Sequence, residues 1–201
     1  EDLYWKVRQY SDRGKPFGLP AGSTNCVASL NFNGDELGCA IGREQIKKTA
    51  AIATGRRRVV GKILSEISEV KALSQPEFIP GSVPSFWFWR LHFDSSKVDC
   101  TKQEFGKAVA AECNMNVLPD YPGLPFTFDW FQNQRAFGTG HFPWSAPQNL
   151  SGDHITTLAD LPVAKKSIEE TILFYPLESW SDEDCVNAAK AIKKVYNAYK
   201  K

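Results

Sequence analysis

The stretch from Leu30 to Ser68 constrains the fold of this 201-residue chain more than any other part, because no proline interrupts it. Its apolar residues recur at the three- and four-residue spacing that makes one face of a helix. We therefore predict that residues 35–68 are mostly helical and about 50 Å long, given the helical rise per residue. A helix of that length joins two bodies. Gly42, Gly55 and Gly61 weaken a helix, and we expect a bend or break near Gly55.

An aromatic segment follows this helix after a proline-rich linker at residues 75–84. The alternating residues of Ser85–Phe93 predict a β-strand. One face of that strand would turn to a core and carry Trp87, Trp89, Leu91 and Phe93. The other face would carry Phe86, Phe88, Arg90 and His92.

Further helices and strands flank this segment. Residues 1–18 predict a short amphipathic helix ended by glycine and proline, and residues 19–29 an arm or hairpin. Capping boxes at Thr101–Glu104 and Ser181–Asp184 each predict a helix start. After the linker, the predicted order is strand, helix (101–113), strand (115–118), long loop, helix (160–171), strand (172–177) and helix (from 182). This order predicts a small α+β layer, with helices on one side of a sheet.

The segment Pro119–Asp153 is long, irregular and rich in aromatic residues. Loops of this length inside a compact domain are usually functional or lie at an interface. Its aromatic residues argue against disorder. We predict that this segment is functional or lies at an interface.

Composition excludes several classes of protein. The net charge of +1 favours neither nucleic acid nor a membrane surface as a partner. No apolar run is long enough to span a bilayer. The five scattered cysteines indicate free thiols in a reducing compartment, and the cytoplasm is the expected location. The first residues, Glu1-Asp2-Leu3, resemble neither a signal peptide nor a natural start.

The sequence contains no complete catalytic motif and no metal-ligand spacing. His92, His141 and His154 are expected to be satisfied or exposed, and the Arg56–Arg58 run to pair with carboxylates or face solvent. Arg90 suits bidentate recognition of a carboxylate, although a structural ion pair is the commoner use of such a residue. The turn Asn31-Phe32-Asn33-Gly34 precedes a helix and could bind an anion, but a plain turn and cap is commoner.

Taken in order, these segments resemble the C-terminal part of the DegT/StrS-type sugar aminotransferases, pyridoxal 5'-phosphate (PLP) enzymes of fold type I. The family pattern hG-N-Y-R-x-x-E-x-x-A-A-I-G-x-x-Q-L followed by an Arg-rich helix is similar to SLNFNGDELGCAIGREQI and GRRR here. The other matching segments are Asp12–Phe17, Pro84–Trp87, Leu161–Ala164, Tyr175–Leu177 and Ser181–Asp184.

The resemblance implies an α/β fold overall: a long connecting helix and a small α+β domain with a mainly antiparallel sheet. The implied divisions are residues 1–34 (end of the large PLP-binding domain), 35–69 (connecting helix) and 70–201 (small domain). It also implies that Asn31 reaches the cofactor phosphate, commonly that of a neighbouring subunit. Asn33 stands where the family often has arginine.

The resemblance further implies that no catalytic residue lies in this chain. The Schiff-base lysine, the acid at the pyridine nitrogen and the ring-stacking aromatic belong to a domain expected upstream of Glu1, and Lys15 does not match the lysine motif. The expected partners are the N-terminal half, as a separate chain or missing segment, and a second copy of the whole enzyme. The predicted substrate-binding residues are Asn33, Arg90, Tyr121 and Trp144.

The function that we predict is transfer of an amino group from an amino acid, Glu or Gln, to a keto-sugar or related ketone. The chain alone is expected to be inactive. Two alternatives stay open: a PLP enzyme that dehydrates or rearranges its substrate, and a non-catalytic binding module.

Overall fold

The computed structural model describes residues 1–32, 34–113, 115–121, 124–137, 139–149 and 161–201. Its longer helices are α1 (Asp2–Ser11), α2 (Glu36–Ile46), α3 (Thr49–Glu66), α4 (Lys102–Glu112), α6 (Pro162–Glu169) and α7 (Asp182–Tyr199). The strands are β1 (Leu73–Ser74), β2 (Trp89–Phe93), β3 (Asn116–Leu118) and β4 (Thr171–Tyr175), and a short helix, α5, spans Asp129–Gln132. None of the described helices is both long enough and apolar enough to cross a membrane.

The predicted long helix is mostly helical but broken, and the predicted position of the break is wrong. Helices α2 and α3 are separated at Lys47 and Lys48, while Gly55 lies inside α3. A Cβ added at Gly55 would lie 2.9 Å from the Cβ of Glu178. The glycine therefore allows α3 to approach the segment before α7 closely, a contact that helix propensity does not register.

The chain divides into two compact units. Unit 1 comprises residues 1–41 and 122–165, and unit 2 comprises residues 42–121 and 166–201. The boundaries at residues 34 and 69 that the resemblance implied stay a prediction.

Unit 2 is built on a four-stranded antiparallel sheet in the order β1-β2-β4-β3. The face of β2 that bears Trp89, Leu91 and Phe93 is buried, and Leu91 pairs with Ile172 on β4. This face shares one hydrophobic core with residues of α3, α4 and α7, so the predicted layer of helices on a mainly antiparallel sheet is confirmed. The core includes Val59, Val60, Ile63, Phe105, Val109, Phe174, Cys185, Ile192 and Val195.

Trp87 departs from the predicted strand. Its side chain is 73% exposed, whereas that of Trp89 is fully buried. The strand begins only at Trp89, and Phe86 has a φ of +49°, which an extended strand does not accommodate. The alternation in the sequence therefore runs further than the strand, and the prediction that Trp87 faces the core is wrong.

Both predicted capping boxes are present in unit 2. The Thr101 hydroxyl accepts from the backbone N–H of Glu104, and the Glu104 carboxylate accepts from the N–H of Thr101 at 2.7 Å. Ser181 and Asp184 make the same pair of bonds at the start of α7. Both helix starts therefore lie where the local sequence signals predict them.

Unit 1 contains α1, the loop after it, and α5 with its surroundings. After α1 the chain turns at Arg13 and Gly14, which have φ values of +55° and +72°. The N–H of Gly14 donates to Gln9, and its carbonyl accepts from the N–H of Cys26. Thr24 and Asp129 exchange hydrogen bonds between side chain and backbone, which anchors the start of α5 to this loop.

Candidate functional site

The predicted cofactor residue, Asn31, lies in unit 1 on a segment that pairs with the end of α1. Asp12 and Asn31 form an antiparallel bridge. The N–H of Arg13 donates to Leu30 at 3.0 Å, and the N–H of Phe32 donates to Ser11 at 2.8 Å. These bonds hold Asn31 on an exposed and well-defined backbone.

Asp12, which pairs with Asn31 in this bridge, is largely buried and has two cationic partners. Lys15 Nζ and Arg13 Nε each lie 2.9 Å from its carboxylate oxygens. The hydrogen bond from Lys15, and then that from Arg13, holds the pKa of Asp12 below its usual range. The ammonium of Lys15 is thus engaged in a structural ion pair.

The start of α2 is a poor anion site. Asp35 Oδ1 accepts from the N–H of Gly38 at 2.6 Å, so a side-chain carboxylate already caps this helix start. The N–H of Phe32 is also used, as described above. Of the predicted anion-binding turn, the exposed amide of Asn31 is the group suited to a phosphate, while Asn33 lies outside the described residues.

The residues described here fit PLP only in part. A carboxamide on a fixed backbone can donate one hydrogen bond to a phosphate oxygen, and such a bond to a charged group is worth about 1.5–3 kcal/mol. Asn31 therefore suits a supporting contact to the cofactor. The lysine and acid that the resemblance placed upstream of Glu1 stay a prediction.

Arg90 and Tyr121 lie in unit 2, and each packs near the ring of Phe88. Arg90 occupies the face of β2 opposite the core, and its guanidinium lies 5.7 Å from the centre of the Phe88 ring. The rings of Phe88 and Tyr121 are 6.4 Å apart, and those of Phe88 and Tyr175 are 6.2 Å apart. We call Phe88, Arg90, Tyr121 and Tyr175 the aromatic–arginine cluster.

Arg90 is available to a ligand. Within the described parts of the chain, no carboxylate pairs with its guanidinium and no side-chain hydrogen bond engages it. Its side chain lines two open clefts, one of about 430 Å³ with Phe86, Trp87 and Phe88, and one of about 480 Å³ with His92 and Glu170. The commoner structural use of such an arginine, an internal ion pair, is therefore not seen in the described residues.

Trp144 lies in unit 1, in an aromatic cluster of its own. Its ring lies 6.1 Å from that of Trp130 and 5.4 Å, edge to face, from that of Phe131. The side chain is half-buried, and its buried part packs against these two rings. Its role in binding substrate stays a prediction, as do those of Arg90 and Tyr121.

The arginine run on α3 has the structural use that we expected. Arg56 Nε lies 3.0 Å from Glu178 Oε2, and Arg58 lies 2.6 Å from Asp182. Arg57 donates to the hydroxyl of Thr54 at 2.8 Å. Arg56 and Arg58 therefore connect α3 to Glu178 and to the start of α7, whereas Arg57 bonds within α3.

His92 Nδ1 lies 3.7 Å from Glu170. His141 is an exposed turn residue, and His154 lies outside the described residues. All five cysteines are free thiols. Of the described histidines, His92 lines the second cleft beside Arg90.

The sequence analysis did not predict the aromatic–arginine cluster as a whole. The alternation of the strand placed Phe88 and Arg90 on one face, which was a usable signal. Tyr175 reaches the same cluster only because β4 pairs with β2 in the observed register, with Phe174 opposite Trp89. No motif records that register.

No model of a known protein family matches the chain, and no curated protein matches it. Solved structures do. PseC of Helicobacter pylori, an aminotransferase involved in the biosynthesis of pseudoaminic acid, matches 98% of this chain and 47% of its own, with a TM-score of 0.58 and 12% identity.

Two further matches are similar. The sugar aminotransferase CalS13 of Micromonospora echinospora matches 96% of this chain and 45% of its own, with a TM-score of 0.52 and 13% identity. The PLP form of Spr1654 from Streptococcus pneumoniae, described as a sugar aminotransferase, matches 98% of this chain and 44% of its own, with a TM-score of 0.55 and 13% identity. This chain thus spans less than half the length of each of these aminotransferases, and it shares the fold of the part that it matches.

Proposed function

We propose that this chain is the C-terminal portion of a PLP-dependent aminotransferase that moves an amino group from Glu or Gln to a keto-sugar or related ketone. The observation that supports this most is the structural match of 98% of the chain to an aminotransferase such as PseC. The order of the sequence motifs points to the same family. The N-terminal half would supply the Schiff-base lysine and the acid at the pyridine nitrogen, and the complete enzyme would form a homodimer in the cytoplasm.

PLP, when bound, supplies the electron sink for amino transfer. This chain would contribute the carboxamide of Asn31 to the cofactor phosphate. The bridge to Asp12 fixes the position of Asn31, because Asp12 is itself held by Lys15 and Arg13. A pre-positioned donor loses little freedom on binding, which favours retention of the cofactor.

Arg90 would bind the carboxylate of the amino donor or an anionic group of the acceptor. Its planar guanidinium makes two parallel hydrogen bonds to a carboxylate, and the Phe88 ring beneath it restricts its orientation. Tyr121 would lie beside the bound ligand, because it contacts the same Phe88 ring. Trp144 would contribute to the substrate wall from the 119–153 segment, and the corresponding proposal for Asn33 concerns a residue outside the described set.

Asn31→Ala tests the cofactor assignment. In the chain purified together with its N-terminal half, we expect PLP affinity to fall roughly 10- to 100-fold, in line with the loss of a hydrogen bond to a charged group. Absorbance titration with PLP measures this change. Asn197→Ala, at an exposed position of α7, is the matched control and should leave the affinity unchanged. Equal PLP affinity in both variants would contradict the assignment.

Arg90→Met tests the substrate assignment. We expect KM for the anionic substrate to rise roughly 10- to 100-fold, because a charge-assisted hydrogen bond is lost, while PLP affinity stays the same. Steady-state kinetics with glutamate as donor measures this effect. Arg43→Met, at an exposed arginine of α2, is the control. An unchanged KM for both donor and acceptor in Arg90→Met would remove Arg90 from the site.

The same preparation separates the alternatives. A PLP absorbance band without donor turnover would favour dehydration or rearrangement, and the absence of a band would favour a binding module. The exposed apolar side chains of α1 and α2, which include Leu3, Val7, Leu37 and Ile41, predict that the isolated chain self-associates. A monomer by light scattering that is also well folded by near-UV circular dichroism would oppose the proposed N-terminal partner.

A further inference from the structure

A buried lysine in unit 2 contacts residues on both sides of the 122–165 segment. Lys102, the first residue of α4, has a side chain that is only 8% exposed. Its Nζ donates to the carbonyl of Ile168 at 2.5 Å and lies 3.5 Å from Asp120 Oδ1. Asp120 precedes the point where the chain leaves unit 2, and Ile168 follows the point where it returns.

The chain between β3 and Tyr121 runs along α4. The ladder of β3 and β4 ends at the pair Leu118–Leu173. Beyond it, a Cβ added at Gly106 of α4 would lie 3.2 Å from Pro119. Next, Gln103 Nε2 donates to both carboxylate oxygens of Asp120, at 3.1 and 3.2 Å. Three successive residues, 118 to 120, are thus fixed before Tyr121.

The returning end is fixed at the last turn of α6. The final carbonyls of a helix have no partner within the helix, and the ammonium of Lys102 supplies one to Ile168. A buried ammonium without partners would be strongly unfavourable, so Lys102 keeps its contacts to Ile168 and Asp120. The side chain of Lys102 thereby connects Asp120, where the chain is about to leave unit 2, to Ile168, where it has returned.

We propose that Lys102 and Gln103 are positioning residues for the candidate substrate site. They hold Asp120, which places the neighbouring Tyr121 near Phe88, the ring on which Arg90 also packs. Lys102 also holds the end of α6. The proposal that this affects substrate binding rests on the proposed function, whereas the fixing of the two chain ends does not.

Lys102→Met and Gln103→Leu test this role in the chain purified with its N-terminal half. Methionine keeps the length and apolar stem of lysine but cannot donate to Ile168 or pair with Asp120. In Lys102→Met we expect amide hydrogen exchange to accelerate on the order of tenfold or more in peptides covering residues 118–121 and 162–170, since local opening governs exchange. In Gln103→Leu we expect this acceleration in residues 118–121 alone. Lys107→Met, at an exposed lysine of the same helix, should change neither peptide.

The kinetic readout is the KM of the keto substrate. Misplacement of Tyr121 should raise KM by about tenfold, with kcat within about twofold, because a positioning contact far from the chemistry affects binding geometry. Gln103 is exposed, so Gln103→Leu should fold even if Lys102→Met does not. A native enzyme without aminotransferase activity would refute the proposed function and leave the exchange test intact.

Two results would overturn the positioning role. One is exchange in both peptides that matches the Lys107→Met control. The other is acceleration that spreads equally through β2 and β4 with a lower unfolding midpoint, which would make Lys102 a residue of general stability.

Discussion

Among the described residues, unit 2 has a buried apolar core, whereas most apolar side chains of unit 1 are exposed or half-buried. Nearly all of the buried apolar side chains in the described residues belong to unit 2, whereas those of unit 1 are Phe126, Ala136 and Ala146. Helices α1 and α2 have no buried residue. Unit 2 therefore has a hydrophobic core to stabilise it, while unit 1 relies on backbone hydrogen bonds, glycine conformations and ring packing.

This contrast shows how the two candidate regions differ. The aromatic–arginine cluster lies on a sheet whose other face is the core, and such elements hold side chains rigidly. Asn31 lies on a short bridge between loops. We expect changes in the core to act on the whole of unit 2 and changes in the loops to act locally.

The largest expected effect is at Trp89. Its side chain is fully buried and donates from Nε1 to Gln75 Oε1 at 2.7 Å. Trp89→Ala should lower the free energy of unfolding by about 3–5 kcal/mol, the usual loss for a large core aromatic. Trp87→Ala, at a side chain that is 73% exposed, should stay within about 0.5 kcal/mol.

Denaturant unfolding followed by far-UV circular dichroism measures both changes. Similar losses for the two tryptophans would mean that the contrast between core and surface at β2 is not present in solution.

An intermediate effect is expected at Gly14 in unit 1. Its φ is +72°, and an added Cβ would lie 1.7 Å from the carbonyl oxygen of Val27. Gly14→Ala combines left-handed strain of about 1–2 kcal/mol with this clash, so the loop must rearrange. Gly22 also has a positive φ, but no atom lies within 4 Å of an added Cβ. Gly22→Ala should therefore introduce only the backbone strain.

Hydrogen exchange over residues 12–32 checks this pair of variants. We expect faster exchange there in Gly14→Ala, weaker binding of PLP through Asn31, and unchanged exchange in β2 and β4. Loss of protection throughout unit 2 would show that the two units are not independent in stability.

The smallest effects are expected at the capping boxes of unit 2. Thr101→Ala and Ser181→Ala should each cost about 1 kcal/mol of stability. The hydrogen bonds that Glu104 accepts from the backbone and hydroxyl of Thr101 lower its pKa below the ordinary 4.5. Those that Asp184 accepts from the hydroxyl and backbone of Ser181 lower its pKa below 3.8.

The sign of the pH dependence follows from these directions. A carboxyl with a lower pKa in the folded state contributes its full stability above its ordinary pKa, and the contribution is lost as the pH falls through the folded value. Stability should thus decline below about pH 4.5, and the decline should be smaller in a Glu104→Gln, Asp184→Asn double variant. Thermal unfolding from pH 7 to pH 3 tests this, and an identical decline in both proteins would contradict it.

Local patterns in the sequence predicted much of unit 2. The two capping boxes, the apolar face of α3 and the alternation from Trp89 to Phe93 all depend on near neighbours in the chain. The resemblance to DegT/StrS enzymes, carried by motif order, is confirmed at the level of fold. The sequence also placed Phe88 and Arg90 on one face of a strand.

Only the tertiary structure decided where those patterns stop and what they contact. The helix breaks at Lys47 and Lys48 and not at Gly55, because Gly55 lies inside α3 and allows a close approach to Glu178. Trp87 is exposed, because the backbone turns at Phe86 before the strand begins. Strand register brought Tyr175 to Phe88, and a buried ammonium joined Asp120 to Ile168. Each of these contacts joins residues far apart in the chain, and local periodicity carries no information about such pairs.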